Sequence, residues 1–233
     1  MRKEFVIKKI ETSSDKVPEV DEMLPKIRSV VGFVAPSGVG KTNLIINLLN
    51  GKQFYRGKFD LVFLFSPTHK LDTLWEKAKG IDVVYDCYDE EALKDLVEQQ
   101  KELIREYGKK KAPEILIILD DCVAEIGKIK SYLADLTMRS RHYCITIWLT
   151  TQKYNKLPHT LRNQVSYWIL FRGASRNKKE REAIADEIGQ AVDESEFLKY
   201  WEEVGKEAWN FLVVSMKSPI NKMFRREFQQ YLL

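Results

Sequence analysis

The chain has 233 residues, which is enough for one α/β domain with a buried sheet but short for two full domains. Apolar residues make up 44% of the chain and charged residues 31%, a composition that excludes an intrinsically disordered protein. The net charge is only +4, because 34 acidic residues offset 38 Lys and Arg, so any contact with nucleic acid must come from local basic patches.

No segment of the sequence has the properties of a membrane span or a secretory signal. The N-terminus, MRKEFVIKKIE, is charged throughout, and the longest apolar runs lie near residues 115–119 and 143–149. These runs are far shorter than the roughly 18 to 20 residues that cross a bilayer. Cys87, Cys122 and Cys144 lack the spacing of a metal site, and we expect them to be reduced. The sequence therefore predicts a cytosolic protein.

Strand-like and helix-like segments alternate along the chain. An arm or edge strand over residues 5–10 and a connector over 11–25 come first. Apolar runs then predict strands over 27–34, 59–65, 115–119, 144–150, 167–171 and 209–214. Apolar residues at three- and four-residue spacing predict helices over 41–50, 89–107, 131–140, 178–188 and 195–204.

This alternation predicts the fold class. Strands separated by helices form a mostly parallel sheet that is covered by helices on both faces, so we expect an α/β fold. Several of the strands are continuously apolar, which is typical of strands buried on both faces. Those strands should lie in the middle of the sheet.

A glycine-rich segment, APSGVGKT, joins the first predicted strand of the sheet to a helix, which is the context that a P-loop requires. Gly38 and Gly40 permit the backbone to turn its N–H groups toward phosphates, and the helix start adds the positive end of its dipole. Lys41 is placed to reach the β- and γ-phosphates, and the Thr42 hydroxyl to ligate Mg²⁺. The strict motif has Gly at the position of Ala35, which is small enough for the same turn. The predicted phosphate-binding residues are Ala35, Pro36, Ser37, Gly38, Val39, Gly40, Lys41 and Thr42.

Two adjacent acids follow the apolar strand at 115–119. The segment ILIILDD is a Walker B pattern, and acids at the mouth of a buried strand are costly unless a cation compensates them. We expect Asp120 to hold Mg²⁺, directly or through water, and Asp121 to orient or deprotonate an attacking water. Helix capping by the same acids is the alternative.

The strand predicted over 144–150 is followed by Thr151 and Gln152. In NTPases that insert an extra strand between the two Walker strands, a polar side chain at this position reaches the γ-phosphate. Gln152 is therefore a candidate sensor, although a Gln at the end of a strand is common in proteins without this role.

Four segments in this order resemble the genome-packaging ATPases of large DNA viruses, the poxvirus type, within the FtsK/HerA superfamily of P-loop NTPases. They are VAPSGVGKT, FDLVFLFSP, LIILDD and MRSRHYCITIWLTTQKYNKLPHTLRNQVSYWILF, within about residues 27–171. The Walker motifs are generic. The segment RSRH, before the strand predicted over 144–150, and the segment QKYNKLPHTLRN, after that strand, are more specific. The corresponding domain division is an arm and connector (1–26), a P-loop ATPase domain (27–215) and a C-terminal tail (216–233).

The resemblance implies an ATP-hydrolysing motor of the additional-strand, RecA-like type, with ATP and Mg²⁺ as its cofactors. It implies a homo-oligomeric ring of five or six subunits that translocates double-stranded DNA and packages a viral genome into a capsid. The expected location is the host cytoplasm or a viral factory, or the virion, and capsid proteins are further candidate partners. Many relatives carry Glu where this chain has Asp121, and a water would fill the gap left by the shorter side chain.

In such rings an arginine of one subunit completes the neighbouring subunit's site. Arg162 is the first candidate, with Arg141 and Arg139 as alternatives. Contact with DNA would be made mainly to phosphates and would be salt-sensitive. Three basic clusters are candidates for that contact, and each could equally be a solvated face: Arg139, Arg141 and His142; Arg176, Lys178, Lys179 and Arg181; and Lys222, Arg225 and Arg226. The tail KMFRREFQQYLL is also a candidate for docking on a neighbouring subunit or a capsid protein.

Two other function classes remain open. A P-loop kinase or a helicase loader is one, although a small-molecule kinase would usually show an arginine-rich lid and no Gln-ended strand after the Walker B segment. A nucleotide-dependent assembly switch is the other, in which ATP holds subunits together without DNA-driven turnover.

Overall fold

The computed structural model describes residues 17–126, 132–172, 177–189 and 191–232, so the arm predicted over 5–10 lies outside the described residues. Nine strands form its sheet: β1 (Val30–Val34), β2 (Leu61–Phe65), β3 (Val83–Tyr85), β4 (Ile115–Leu119), β5 (Ile145–Thr151), β6 (Tyr167–Phe171), β7 (Phe211–Ser215), β8 (Phe224–Arg226) and β9 (Gln230–Tyr231). The helices are α1 (Lys41–Asn50), α2 (Glu90–Tyr107), α3 (Val123–Ile126), α4 (Tyr132–Arg139), α5 (His159–Arg162), α6 (Lys178–Ile188) and α7 (Glu194–Val204).

All the strands belong to one sheet, in the order β3-β2-β4-β5-β1-β6-β7-β8-β9. The six strands from β3 to β6 in this order run parallel, and β7, β8 and β9 are added antiparallel. Because β5 pairs with β4 on one side and with β1 on the other, it is an additional strand between the two Walker strands. The predicted α/β fold with a central, mostly parallel sheet is confirmed.

Helices cover both faces of the sheet, as the continuously apolar strands predict. On one face, buried side chains of α1 such as Ile45 and Leu48 pack with Phe33 and Ile118 of the central strands. On the other face, α2, α4, α6 and α7 contribute to a second cluster of buried apolar residues. Burial of apolar surface on both faces fixes the central strands, whose carboxyl ends carry the candidate site.

The segment after Ser215 differs from the separate tail that the sequence predicts. Strands β8 and β9 continue the sheet, and the Phe224 side chain is fully buried. Arg225 is 3% exposed, and its Nη1 atom donates to the main-chain carbonyls of Glu22 (3.2 Å) and Met23 (2.8 Å). The guanidinium also lies over the Tyr231 ring. The basic and aromatic residues that alternate in this segment therefore pack against their own domain.

Candidate functional site

The glycine-rich loop over 35–42 lies between β1 and α1, at the carboxyl end of the central strands. Gly38 and Gly40 have φ values of 74° and 100°, in the left-handed region where glycine is favoured. Ala35 is buried, its amide donates to the Thr151 carbonyl (3.1 Å), and it is not among the positive-φ residues of the described chain. A small residue with an ordinary backbone therefore suffices at this first position of the loop.

The side chain of Lys41, at the first position of α1, turns back over the loop. Its Nζ atom donates to the carbonyls of Ala35 (2.7 Å) and Pro36 (3.2 Å), and the residue is 6% exposed. Burial lowers the pKa of Lys41, and the nearby carboxylates of Asp121 and Asp120 oppose that shift. Thr42 follows in the first turn of α1 and is half-buried.

The carboxylate of Asp120 follows β4 and is held by two hydroxyl groups. Thr150 Oγ1 donates to Oδ1 over 2.8 Å, and Ser66 Oγ donates to Oδ2 over 3.1 Å. Asp120 is 3% exposed, and its burial raises the pKa of the carboxyl group. The two hydrogen bonds and the charge of Lys41 oppose this shift, whereas the charge of Asp121 adds to it.

Asp121 is the next residue and has φ 52°, a left-handed backbone that Asp adopts more readily than most residues. Its amide donates to Thr150 Oγ1 (2.9 Å), so one hydroxyl of β5 binds both acids. Gln152 Nε2 donates to Asp121 Oδ2 over 3.0 Å. The structure thus brings together the two acids and the Gln that the sequence predicts for the site.

Sequence reasoning missed the two supporting hydroxyl groups, Thr150 and Ser66. Each lies at or just after the carboxyl end of a strand that neighbours β4 in the parallel sheet. Their hydrogen bonds to Asp120 depend on which strands are adjacent, and the chain order does not give that adjacency. The sequence does show a hydroxyl residue at the end of each of these two strands, and this pattern could have indicated support for Asp120.

The structure holds Arg162 in a network within its own chain. Its Nη1 atom is 2.9 Å from Glu187 Oε1, its guanidinium lies 4.7 Å from the centre of the Tyr154 ring, and its side chain is 11% exposed. Tyr154 also donates its hydroxyl to Glu187 Oε2 (2.8 Å). This geometry favours a structural ion pair within its own chain for Arg162 over a side chain extended toward another subunit.

Arg139 and Arg141 have a different environment. Both are exposed, at the end of α4 and in the short 3-10 turn Ser140–Tyr143 that precedes β5. Gln152 follows the carboxyl end of β5, so these arginines lie at the opposite end of the sheet from the site of their own chain. Exposed residues at that end are available to a neighbouring molecule.

The other basic clusters are partly engaged in ion pairs. Lys178 pairs with Glu182 and Arg181 with Glu202, while Arg176 lies outside the described residues. In the third cluster, Lys222 pairs with Glu22, Arg226 pairs with Glu203, and Arg225 is buried as described above.

Trp209 was predicted to begin a strand, but β7 begins at Phe211. Trp209 instead has φ 73° and is 64% exposed beside the glycine-rich loop. A cavity of about 520 Å³ lies against loop residues 36–39 and is also lined by Trp209, Arg172 and Lys206. Sequence reasoning missed this residue because only the folded chain brings it to the loop.

Comparisons with known proteins agree with this architecture. The sequence model of the family described as poxvirus A32 protein matches residues 22–202, and this match confirms the resemblance to the poxvirus type. No curated protein sequence matches the chain significantly. Among the described helices, none has both the length and the apolar character needed to cross a bilayer.

Solved structures with the same fold include two viral proteins. The DNA-packaging ATPase B204 from Sulfolobus turreted icosahedral virus aligns with a TM-score of 0.62 and 17% identity, over 86% of this chain and 97% of that one. The genome-packaging NTPase B204 from Sulfolobus turreted icosahedral virus 2, in complex with ATP-gammaS, has a TM-score of 0.59 and 19% identity, over 88% and 98%. EssC (ATPases 2 and 3) from Geobacillus thermodenitrificans has a TM-score of 0.57 and 14% identity, over 86% of this chain and 39% of that one.

Proposed function

The chain belongs to the poxvirus A32 protein family, and we propose on that premise that it is an ATP-hydrolysing motor that translocates double-stranded DNA and packages a viral genome into a capsid. The observation that carries this proposal is the hydrogen-bonded group formed by Asp120, Asp121, Thr150 and Gln152 beside the glycine-rich loop. This group places a second carboxylate beside the loop, as hydrolysis requires, and translocation and packaging are inferred from the family.

The nucleotide's phosphates would lie in loop 35–42. The left-handed backbone of Gly38 and Gly40 and the start of α1 are features that would present main-chain N–H groups to phosphates there. Lys41 would exchange its bonds with the Ala35 and Pro36 carbonyls for bonds with phosphate oxygens. The B204 structure with ATP-gammaS has the same fold, and this supports a nucleoside triphosphate as the ligand.

The donor set also fits Mg²⁺. Asp120 is a buried carboxylate whose burial penalises its charge, and a bound cation would compensate that charge. Carboxylate and hydroxyl oxygens are ligands that Mg²⁺ prefers, so Asp120 and Thr42 would hold it, directly or through water. When bound, Mg²⁺ would neutralise charge on the phosphates.

The remaining residues would position and activate the attacking water. Asp121 would accept a proton from the water or orient it, since Gln152 binds only one of its two carboxylate oxygens in the hydrogen bond described above. Gln152 would contact the γ-phosphate, and its hydrogen bond to Asp121 would couple this contact to the position of the Asp121 carboxylate. Thr150 would keep both acids in place.

We further propose that the motor acts as a homo-oligomeric ring around DNA. Arg141 or Arg139 would complete a neighbour's site, because both are exposed, whereas Arg162 is held by Glu187 and Tyr154. DNA would be bound through its phosphates, and among the three candidate clusters only that of Arg139, Arg141 and His142 has all its described members exposed. The expected place of action is the cytoplasm or viral factory of the infected host cell, with a capsid protein as a further partner.

Steady-state ATP hydrolysis tests the proposal. The purified chain is measured with and without double-stranded DNA at two salt concentrations, beside Lys41→Ala and a matched control, Lys52→Ala, in which an exposed lysine outside the site is removed. We expect DNA to raise the turnover and salt to weaken this stimulation. Of the two variants, only Lys41→Ala should abolish the turnover. Turnover that ignores DNA, together with nucleotide-dependent oligomerisation, would instead support an assembly switch.

A further inference from the structure

A second cavity, of about 550 Å³, shares Trp209 with the cavity described above. Its walls come from the first turns of α1, the facing ends of β6 and β7, and the turn between β8 and β9. Gly40 belongs both to the glycine-rich loop and to this wall. A ligand with phosphates in the loop would therefore reach the cavity directly.

One wall of this cavity is a continuous row of aromatic rings. The ring centroids of Phe171 and Phe211 are 5.4 Å apart, those of Phe211 and Phe228 are 5.1 Å apart, and those of Phe228 and Phe54 are 6.4 Å apart. The planes of neighbouring rings are tilted by 46°, 58° and 59°, so the rings form a continuous but uneven apolar surface. The first cavity differs, because Arg172 and Lys206 line it together with the loop.

Trp209 lines both cavities and lies against the loop. A Cβ atom built on Gly40 would be 2.7 Å from Cε3 of the Trp209 indole, so only glycine permits this approach. Trp209 and Glu227, which both line the second cavity, have positive φ values of 73° and 54°. Strained non-glycine backbone costs free energy and tends to occur where ligands bind. Two of the five such residues in the described chain border this one cavity.

The rim of the cavity carries polar groups. Asn43 and Asn47 face it from α1, and Glu227 and Gln229 face it from the turn between β8 and β9. Burial raises the pKa of Glu227, and the charge of Glu207 adds to the shift. A mostly apolar, aromatic-lined pocket with amide and carboxyl groups at its edge matches a heterocycle that has ring nitrogens and an amino group.

We propose that this second cavity binds the purine base of the nucleotide, and that Trp209 is the residue that stacks on the base. The inference rests on the proposed function, because it takes the phosphates to lie in loop 35–42. It adds a base-binding residue, Trp209, and a role for the turn between β8 and β9. The aromatic row would cover the base, and the polar rim would distinguish its edge groups.

Isothermal titration tests the assignment with two Mg²⁺-loaded probes, ATP and inorganic tripolyphosphate. In Trp209→Ala the affinity for ATP should fall about five-fold or more, the scale of a lost base–aromatic stack, while tripolyphosphate binds as before. Trp209→Phe should keep most of the affinity for ATP. Tyr107→Ala, which removes an exposed aromatic ring at the end of α2, should change neither affinity.

Intrinsic fluorescence provides an independent measurement in the unmodified chain. Of its five tryptophans, Trp75, Trp148, Trp168 and Trp201 are buried, so Trp209 should dominate any change on binding. We expect ATP to alter the emission and tripolyphosphate to leave it nearly unchanged, with no ATP-induced change in Trp209→Phe.

Three results would overturn the assignment or its premise. If Trp209→Ala binds ATP like the wild type, the base lies elsewhere. If Trp209→Ala unfolds like the wild type but loses affinity equally for ATP and tripolyphosphate, Trp209 only supports the loop through Gly40. If the wild-type chain binds neither probe, the proposed ATPase itself fails, and that result is distinct from the first two.

Discussion

The side-chain amide of Gln152 donates to Oδ2 of Asp121 over 3.0 Å and so joins the residue after β5 to the second residue after β4. This contact follows from the parallel register, in which Leu119 of β4 lies beside Leu149 of β5. The segments that follow the two strands therefore emerge side by side. A shift in the position of either segment would be transmitted to the other through a single hydrogen bond.

Asp121→Asn is expected to remove hydrolysis but not nucleotide binding. Asn fits the left-handed backbone at this position and keeps a hydrogen-bonding side chain beside Gln152, but it cannot accept a proton from water. Turnover should fall by about 10²-fold or more, the usual scale for loss of a general base. Phosphate release and titration with ATP measure the two effects separately.

Asp135→Asn is the matched control for that variant, because it removes an exposed acid on α4. Its turnover should equal that of the wild type. Full activity in Asp121→Asn would show that Asp121 is not the base.

Thr150→Val should impair both stability and turnover. The buried hydroxyl binds the Asp120 carboxylate and the Asp121 amide, and its removal leaves both groups short of a partner. The expected loss is about 1–3 kcal/mol in the free energy of unfolding, measured by chemical denaturation. Thr150→Ser, which keeps the hydroxyl, should restore most of the turnover.

A second hydroxyl on the same strand separates the two effects. Thr146 is also buried, and its Oγ1 atom accepts from the Arg28 amide (2.7 Å) at the opposite end of β5. Thr146→Val should therefore lower the free energy of unfolding and leave turnover per folded molecule unchanged. Equal loss of turnover in both valine variants would contradict a specific role for Thr150.

The buried ion pair between Arg28 and Glu114 should be sensitive to loss of either partner. Arg28 Nε donates to the Glu114 carboxylate at 3.0 and 3.1 Å, and both side chains are less than one-tenth exposed. Arg28→Met alone leaves a buried carboxylate without its main partner, which should cost about 3–5 kcal/mol of unfolding free energy. The double variant Arg28→Met/Glu114→Leu should recover much of that loss. Lys178→Met, which breaks an exposed pair with Glu182, should change little.

Arg162→Ala and Arg141→Ala should have opposite signatures. Arg162→Ala removes an ion pair with Glu187 and a contact with the Tyr154 ring, so it should lower the unfolding temperature. Arg141→Ala removes an exposed side chain, so it should leave unfolding unchanged but lower turnover in the assembled protein.

Mixing two inactive variants tests the assignment to a neighbour's site. Subunits with Arg141→Ala and subunits with Asp121→Asn should regain partial turnover when combined, because some interfaces then pair an intact arginine with an intact base. Arg141→Ala with wild-type turnover would move the role to Arg139. A stable but inactive Arg162→Ala would restore Arg162 as the candidate.

The sequence predicted the parts of the fold that depend on strong local patterns. The bounds of α1, β4 and β6 agree with the prediction residue by residue, because each is a clear apolar or amphipathic run. Strand β3 was missed because it has three residues and lies exposed at the sheet edge. Strands β8 and β9 were missed because FRR and QY have no apolar pattern, and their pairing with β7 stabilises them.

The candidate site divides in the same way. Lys41, Thr42, Asp120, Asp121 and Gln152 were predicted from motifs that occupy consecutive or nearby positions in the chain. Thr150, Ser66 and Trp209 were not, because their roles depend on neighbours that are far away in sequence. Asp120 and Ser66, for instance, are separated by 54 residues.

The bonds from Arg225 to the carbonyls of Glu22 and Met23 join positions about 200 residues apart and have a consequence for the order of folding. On the ribosome, a growing chain that has emerged only as far as β7 already contains the glycine-rich loop and both acids. It still lacks Glu227 and Phe228, which complete the wall of the second cavity, and the arginine that fastens the connector. Such an intermediate would contain the phosphate loop and Trp209 but not the turn that completes the second cavity, so the proposed base site would be finished last during synthesis.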